Sequence, residues 1–213
     1  MSDISTIRFE YEHAGLHEHE LDSDPFAQFG QWLQAAMAHD NELANAMVLA
    51  TADRDGRPSA RYVLLKEFSN EGFVFYTNSL SQKGRELAEN PRAALVFYWR
   101  QMHRQIRIEG NVEQLSADRA DSYFASRPRG SQISTWAAPQ SGIVPDRNFL
   151  QDRVTELSQQ FEKKTVPRPE DWVGYCVKPD TFEFWQGQEN RLHDRLVYLR
   201  NESGMWTIAR LAP

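Results

Sequence analysis

Apolar and polar positions change period along this chain, and the changes predict its elements. Residues 1–23 are polar with no sustained period and read as a flexible N-terminal arm. Asp24-Pro25 then supplies an N-cap followed by a proline at the first helical position. Phe26, Phe29, Leu33 and Met37 follow at helical spacing, with Trp32 and Ala36 beside the stripe. The spacing predicts a helix over 25–39 that buries this stripe. From Met47 the period becomes two. Met47–Ala52 and Pro58–Phe68 read as a hairpin around Asp53-Arg54-Asp55-Gly56. Ser69-Asn70-Glu71-Gly72 turns the chain into a strand over Phe73–Asn78.

A short helix is predicted at about 81–89, stopped by Asn90-Pro91. Ala93–Trp99 and Arg104–Gln114 are the next strands. In the second, Ile106 and Ile108 alternate with Gln105, Arg107 and Glu109, giving one apolar and one polar face. Ser116 caps a helix over 117–126, and Pro145–Lys163 reads as a longer one. Trp172–Lys178, Thr181–Trp185, His193–Arg200 and Trp206–Leu211 close the chain as strands, the last two joined by the turn Asn201-Glu202-Ser203-Gly204. Many short strands separated by turns point to a closed or split antiparallel barrel. With helices at the start and middle, the class is α+β, mainly β. The expected organisation is an arm over 1–23 and one domain over 24–213, with a small helical part at about 116–165.

Composition narrows the function. The chain has 213 residues and a net charge of −6, which argues against a general nucleic-acid binder with its basic stripe. No apolar run approaches membrane-spanning length, and the first residues lack the basic and apolar regions of a secretion signal. Cys176 is the only cysteine, so no intrachain disulfide forms, which fits a cytoplasmic protein. His13, His17, Glu18, His19 and Glu20 cluster near the start, but their spacing matches no zinc pattern. No metal is expected.

Chemistry concentrates near the end, in Phe182-Glu183-Phe184-Trp185-Gln186-Gly187 and the downstream Arg191-Leu192-His193-Asp194-Arg195. If the second segment is extended, two guanidinium groups and an imidazole share one face. That arrangement suits a planar, anionic ligand. A solvated, charged edge strand is the plain alternative.

These two runs together resemble the C-terminal signature of the pyridoxamine 5′-phosphate oxidase family. Other segments resemble the same family in order from about Arg8 to Pro213. They are Arg61-Tyr62-Val63-Leu64-Leu65-Lys66, Phe75-Tyr76-Thr77-Asn78, Ser81-Gln82-Lys83, the run from Tyr123 to Gln132, and the closing Arg210-Leu211-Ala212-Pro213. Motifs in register over nearly the whole chain are far more specific than any one of them.

The resemblance implies a split β-barrel with Greek-key-like connections that binds flavin mononucleotide (FMN) and forms a homodimer with its flavin sites at the subunit interface. It implies an oxidase that turns pyridoxamine 5′-phosphate or pyridoxine 5′-phosphate into pyridoxal 5′-phosphate, reducing O2 to hydrogen peroxide. Arg61, Leu64, Lys66, Tyr76, Thr77, Gln82, Lys83 and Ser141 are the flavin contacts it implies. Gln105, Gln140, Trp185 and Arg195 are implied to reach the flavin from the partner subunit. Relatives often carry arginine at the Gln82 position, so weaker phosphate binding is expected there. Lys66, Tyr123, Arg127 and Ser131 match the substrate-phosphate residues, with Pro128 restricting the backbone of Arg127.

Arg191 and His193 match the pair that approaches the substrate ring and are the expected catalytic residues. Asp194 is expected to face away and pair with a neighbouring base. Arg8 and Tyr11 align with an arm segment that folds over the active site; a disordered tail is the alternative reading of that arm. Two rival functions stay open at this point: a flavin reductase-like enzyme on the same barrel, and a non-catalytic pyridoxal 5′-phosphate carrier.

Overall fold

The computed structural model describes residues 4–6, 15–39 and 43–213. Fourteen elements build it. They run α1 (Pro25–His39), β1 (Ala46–Ala52), β2 (Pro58–Leu64), β3 (Glu67–Ser69), β4 (Gly72–Asn78), α2 (Gln82–Glu89) and β5 (Arg92–Trp99). There follow β6 (Arg104–Gln114), α3 (Ala117–Ser126), α4 (Arg129–Ala137), α5 (Arg147–Gln160), β7 (Trp172–Gln186), β8 (Asp194–Arg200) and β9 (Trp206–Leu211). One antiparallel sheet has the strand order β2-β1-β5-β6-β7-β4-β3, and β8 and β9 extend it from β7. The sheet curls around an apolar core, as the alternating strands predict. Met47, Leu49, Leu95, Ile106, Ile108 and Phe182 are fully buried within it.

Helix α1 lies against this core. Phe29 meets Phe68, Phe73 and Phe97 edge-to-face, at centroid separations of 4.8–5.1 Å. The buried face differs from the expected stripe. It runs through Phe26, Phe29, Trp32 and Ala36, whereas Met37 is 48% exposed. Trp32 wins the inward direction because its ring fits edge-on to Phe184 and lies 4.4 Å beneath the Arg104 guanidinium. Among the described residues, no helix is long and apolar enough to cross a membrane.

The expected strand Pro58–Phe68 is two strands. Leu65 N–H donates to the Asn45 carbonyl, but Lys66 N–H donates to Val74. The chain thus leaves β1 and joins β4 within one residue, and Lys66 sits at that corner. The expected strands 172–178 and 181–185 are the single strand β7. Its first part pairs with β4 and its last part with β8, while β6 runs along both. A register shift after Glu109 absorbs the change. Gly110 is required there, since a Cβ would come within 2.1 Å of the Lys178 carbonyl oxygen.

A second apolar cluster joins α3, α4 and α5 to the start of β7, through Phe124, Ile133, Ala137, Leu157, Val166 and Trp172. Helix α4 was not expected, because Arg127-Pro128 reads as a stop and Gly130-Ser131 as loop. Its helix propensity is low, and burial of Ile133 and Ala137 holds it. The longer helix α5 is trimmed to Arg147–Gln160, with Asp146 accepting from Phe149 N–H as its N-cap.

Candidate functional site

A cavity of about 730 Å³ opens where β2, β4, α2, α3 and α4 meet. It gathers Arg61, Leu64 and Lys66 with Tyr76, Thr77 and Lys83, and faces them with Tyr123, Arg127, Ser131 and Gln140. Arg61, Lys66, Lys83 and Arg127 bring basic side chains to its wall, and no carboxylate lines it among the described residues. In a chain of net charge −6 this is a selected concentration of positive charge.

Two cation clusters divide this wall. In the first, Ser81 caps α2 by accepting from Gly84 N–H, which places Lys83 in the first turn of the helix. Lys83 Nζ donates to Gln140 Oε1 at 3.0 Å and to Thr77 Oγ1 at 3.2 Å, and Thr77 in turn donates to Gln140 at 2.6 Å. Burial pushes the Lys83 ammonium below its ordinary pKa, the Arg61 charge adds to this, and Glu86 opposes it. Arg61 donates to the Leu49 carbonyl at 3.2 Å and to Thr51, Ser59 and Glu86.

Glu86 was not anticipated from sequence. It lies behind the wall, 8% exposed, and accepts from Thr51, Ser59, Arg61 and Gln82. Burial alone would raise its pKa. The hydrogen bonds from Ser59, Thr51 and Gln82 and the charge of Arg61 outweigh that and hold it at about 2. Gln82 therefore turns its amide to Glu86, at 2.9 Å, and is absent from the cavity wall; its backbone N–H donates to Ser141 Oγ. An acid one helical turn after Gln82 was the available signal.

The second cluster stands on aromatic rings. Arg127 follows α3, donates to Thr135 Oγ1 at 2.7 Å and lies 4.8 Å over the Trp172 ring. Burial lowers its pKa. Tyr76 and Tyr123 stack at 4.1 Å and both stack on Trp172. Gly174 makes room for Tyr76, since a Cβ there would meet the ring at 2.7 Å. Burial raises the Tyr76 pKa. Trp172 was read only as the start of a strand, although it forms the floor under Arg127.

The remaining expected residues lie elsewhere on this chain. Gln105, Trp185 and Arg195 form one cross-strand row on β6, β7 and β8, outside the cavity wall. Gln140, expected beside them, stands in the cavity with Thr77 and Lys83. Arg191, His193 and Arg195 do not share a strand face as expected. Glu189–Arg191 is a 3-10 turn, Asn190 and Arg191 have φ of 55° and 63°, and β8 starts only at Asp194. The polar turn carries the first two side chains out ahead of the strand.

His193 packs on Trp185 at a centroid distance of 4.8 Å, and its Nδ1 accepts from Gln188 N–H at 3.1 Å. The neutral ring then carries its proton on Nε2. Burial lowers the His193 pKa below 6.5, Arg191 adds to this and Asp194 opposes it. Asp194 faces away, as expected, and accepts from Arg210 and from Leu16 N–H. Arg8 and Tyr11 lie outside the described residues, and so does His13. Among the described residues, no group of three His, Cys, Asp or Glu could hold a metal ion.

A larger cavity of about 870 Å³ lies between the end of α1 and the outer face of β1, β2 and β5. Its wall is mostly apolar, with Tyr62 78% and Tyr98 52% exposed, and none of the cations described above lines it. Arg61, Lys66, Lys83 and Arg127 belong to the smaller cavity, while Arg100, His39 and His103 line the larger one.

A curled antiparallel sheet with a cationic cavity at the corner between its two halves defines a split β-barrel with a site for anionic ligands. Residues 33–161 match the family described as "Pyridoxamine 5'-phosphate oxidase", and residues 172–213 match the "Pyridoxine 5'-phosphate oxidase C-terminal dimerisation region". A protein of Rubrobacter xylanophilus named pyridoxine/pyridoxamine 5′-phosphate oxidase is 52% identical over 99% of this chain and 97% of its own length. One of the same name from Burkholderia multivorans is 50% identical over the whole of both chains. The chain belongs to the pyridoxamine 5′-phosphate oxidase family. Among solved structures, PhzG from Burkholderia lata, in complex with tetrahydrophenazine-1-carboxylic acid, superposes with a TM-score of 0.86 at 33% identity, covering 92% of this chain and 95% of that one. An FMN-binding protein from Nostoc punctiforme shares the fold, with a TM-score of 0.71 at 15% identity over 91% of this chain and all of that one.

Proposed function

We propose that this chain is an FMN-dependent oxidase of pyridoxamine 5′-phosphate and pyridoxine 5′-phosphate, yielding pyridoxal 5′-phosphate and passing electrons to O2. The observation that carries this reading is one cavity whose described wall bears the Arg61–Lys83 pair and, set on different partners, Arg127 over the Trp172 ring, with no carboxylate. One anion would need one cluster; a phosphorylated cofactor beside a phosphorylated substrate needs two. The volume is in the range of a small-ligand site.

The donor set fits a flavin mononucleotide. Arg61 and Lys83 hold its phosphate, with Thr77 and Ser141 supplying hydroxyls. A bound flavin would supply the redox chemistry, as the acceptor for the hydride that leaves the substrate C4′ carbon. Lys66, Tyr123, Arg127 and Ser131 hold the substrate phosphate, and the Trp172 ring keeps Arg127 aimed. Gln105, Trp185 and Arg195, with Arg191 and His193, stand outside this chain's own cavity and in a homodimer complete the cavity of the second copy. Arg191 lies on the substrate ring and orients it. His193, neutral with its proton on Nε2, hydrogen-bonds the ring substituents and excludes a competing charge.

A second reading rests on the PhzG likeness, which favours a non-phosphorylated ring carboxylate as substrate. The Arg127 cluster and the names of the relatives near 50% identity favour the phosphate. The test is an anaerobic visible spectrum of the flavin-loaded protein. Bleaching by pyridoxamine or pyridoxine 5′-phosphate, reversed by air, is the expected result. A yellow protein that neither vitamer bleaches would sink the proposal in favour of another flavin enzyme, and one that takes up no FMN would favour a carrier.

A further inference from the structure

Glu183 is the buried acid that the proposed chemistry leaves without a role. It lies on β7 between the apolar Phe182 and Phe184, only 6% exposed, on the same face as Trp185. Its carboxylate takes a two-pronged bond from Arg195, Nε to Oε1 at 2.8 Å and Nη2 to Oε2 at 3.2 Å. It also accepts from Arg107 Nη1 at 3.0 Å, directly across on β6, and Arg107 reaches on to Glu109. Arg195 Nη1 donates to the Ala212 carbonyl at 2.9 Å. Hydrogen bonding to Glu183 raises the Arg195 pKa.

A guanidinium has five N–H groups in a fixed plane. With Nε and one hydrogen of each Nη engaged by Glu183 and Ala212, two N–H groups remain, one on each Nη, and their direction is fixed. A long arginine on an edge-ward strand would otherwise sample many rotamers. Holding an acid this deep is costly unless its partners are well placed, and here both are arginines.

We infer that Glu183 is a positioning residue for the flavin: it fixes the plane and direction of Arg195 so that the guanidinium is pre-aimed at the cofactor of the second copy. The inference rests on the proposed contact of Arg195 with FMN. Arg107, on the other side of the carboxylate, balances its charge and does not direct Arg195.

The experiment is an FMN titration, followed by quenching of flavin fluorescence, on the wild type and the variants Glu183→Gln, Arg195→Gln, their double and Arg107→Gln. Glu183→Gln is expected to weaken FMN binding about ten-fold. The double variant is expected to bind no more weakly than Arg195→Gln alone, because Glu183 acts only through Arg195. Glu183→Asp keeps the charge on a shorter arm and should show a smaller loss; it also serves if Glu183→Gln does not fold.

Unchanged affinity in both Glu183 variants, with Arg195→Gln weakened, would overturn the inference while leaving the flavin reading intact. Losses that multiply in the double variant would overturn it too, as would an Arg107→Gln loss equal to that of Glu183→Gln. A wild type that binds no FMN would remove the flavin reading and the inference together.

Discussion

The cavity and the β7–β8 turn both carry cations, but they are built in opposite ways. In the cavity, Arg61 and Lys83 are locked by strands, a capped helix and a buried acid. Around the turn, Arg191 closes an irregular 3-10 turn at positive φ, and Leu192 beside it is 69% exposed. A fixed anion such as a cofactor phosphate is served by a preorganised cluster whose desolvation is settled during folding. A substrate that must arrive and leave is better met by side chains on a projecting turn. Under the proposed function, the contrast gives flavin retention to the Arg61–Lys83 cluster and handling of the substrate ring to the turn.

The strongest way to break that assignment is to remove the buried lysine. Lys83→Met should weaken FMN binding by about 100-fold or more, since it removes the ammonium that donates to Thr77 and Gln140 and leaves Arg61 as the one cation of that pair. Equilibrium dialysis of the apoprotein would check it, and an unchanged affinity would move the phosphate elsewhere. Arg191→Ala should lower kcat/KM by roughly 10–100-fold with flavin content unchanged. Steady-state kinetics with a flavin count from the visible band reads both, and parallel loss of flavin would erase the division between the two regions.

Glu86 sharpens the comparison through pH. Its folded pKa of about 2 lies below its ordinary value of 4.5, so the folded state favours the charged form. The stability it contributes is complete above pH 4.5 and is lost as pH falls towards 2. Glu86→Gln should therefore cost about 1–3 kcal/mol at neutral pH. Urea unfolding across pH should show the two proteins converging in acid; a constant gap would contradict the charge argument.

The smallest effect concerns His193. Its folded pKa is depressed below 6.5, so the neutral form is favoured and the acid limb of kcat/KM should have its midpoint below 6.5. Protonation of Nδ1 would break the bond from Gln188. Arg191→Leu should shift that limb upward by removing a neighbouring positive charge, within the activity that remains.

The same contrast explains what the sequence disclosed. Period-two alternation located Ile106 and Ile108 correctly and placed Gln105 and Arg107 on the polar face, because a sheet with one wet side writes itself into residue order. The serine N-cap that sets Lys83 in the first turn of α2 came from the structure, while Lys83 itself was legible through the resemblance of Ser81-Gln82-Lys83. Glu86 and Trp172 were not, since each works by meeting residues remote in sequence: Thr51 lies 35 positions from Glu86. The arginine-histidine-arginine spacing was read as a strand, and failed because turn geometry overrides side-chain alternation when two consecutive residues take positive φ. Helix α4 was hidden for a similar reason, its stability residing in contacts with α5 and the Phe124–Trp172 cluster.

Strand β7 ties the two regions together. Trp172 opens it beneath Arg127, and Trp185 closes it beneath His193, with Gly110 easing its neighbour past the bend. One continuous ladder thus works as a ruler between the Arg127 side of this chain's cavity and the turn that, on the proposed function, reaches the cavity of the second copy. Inserting or deleting a single residue between the two tryptophans would slide one mark against the other and turn every later side chain to the opposite face. The exposed polar turn at 201–204 should tolerate a change of length, while the segment 172–185 should not.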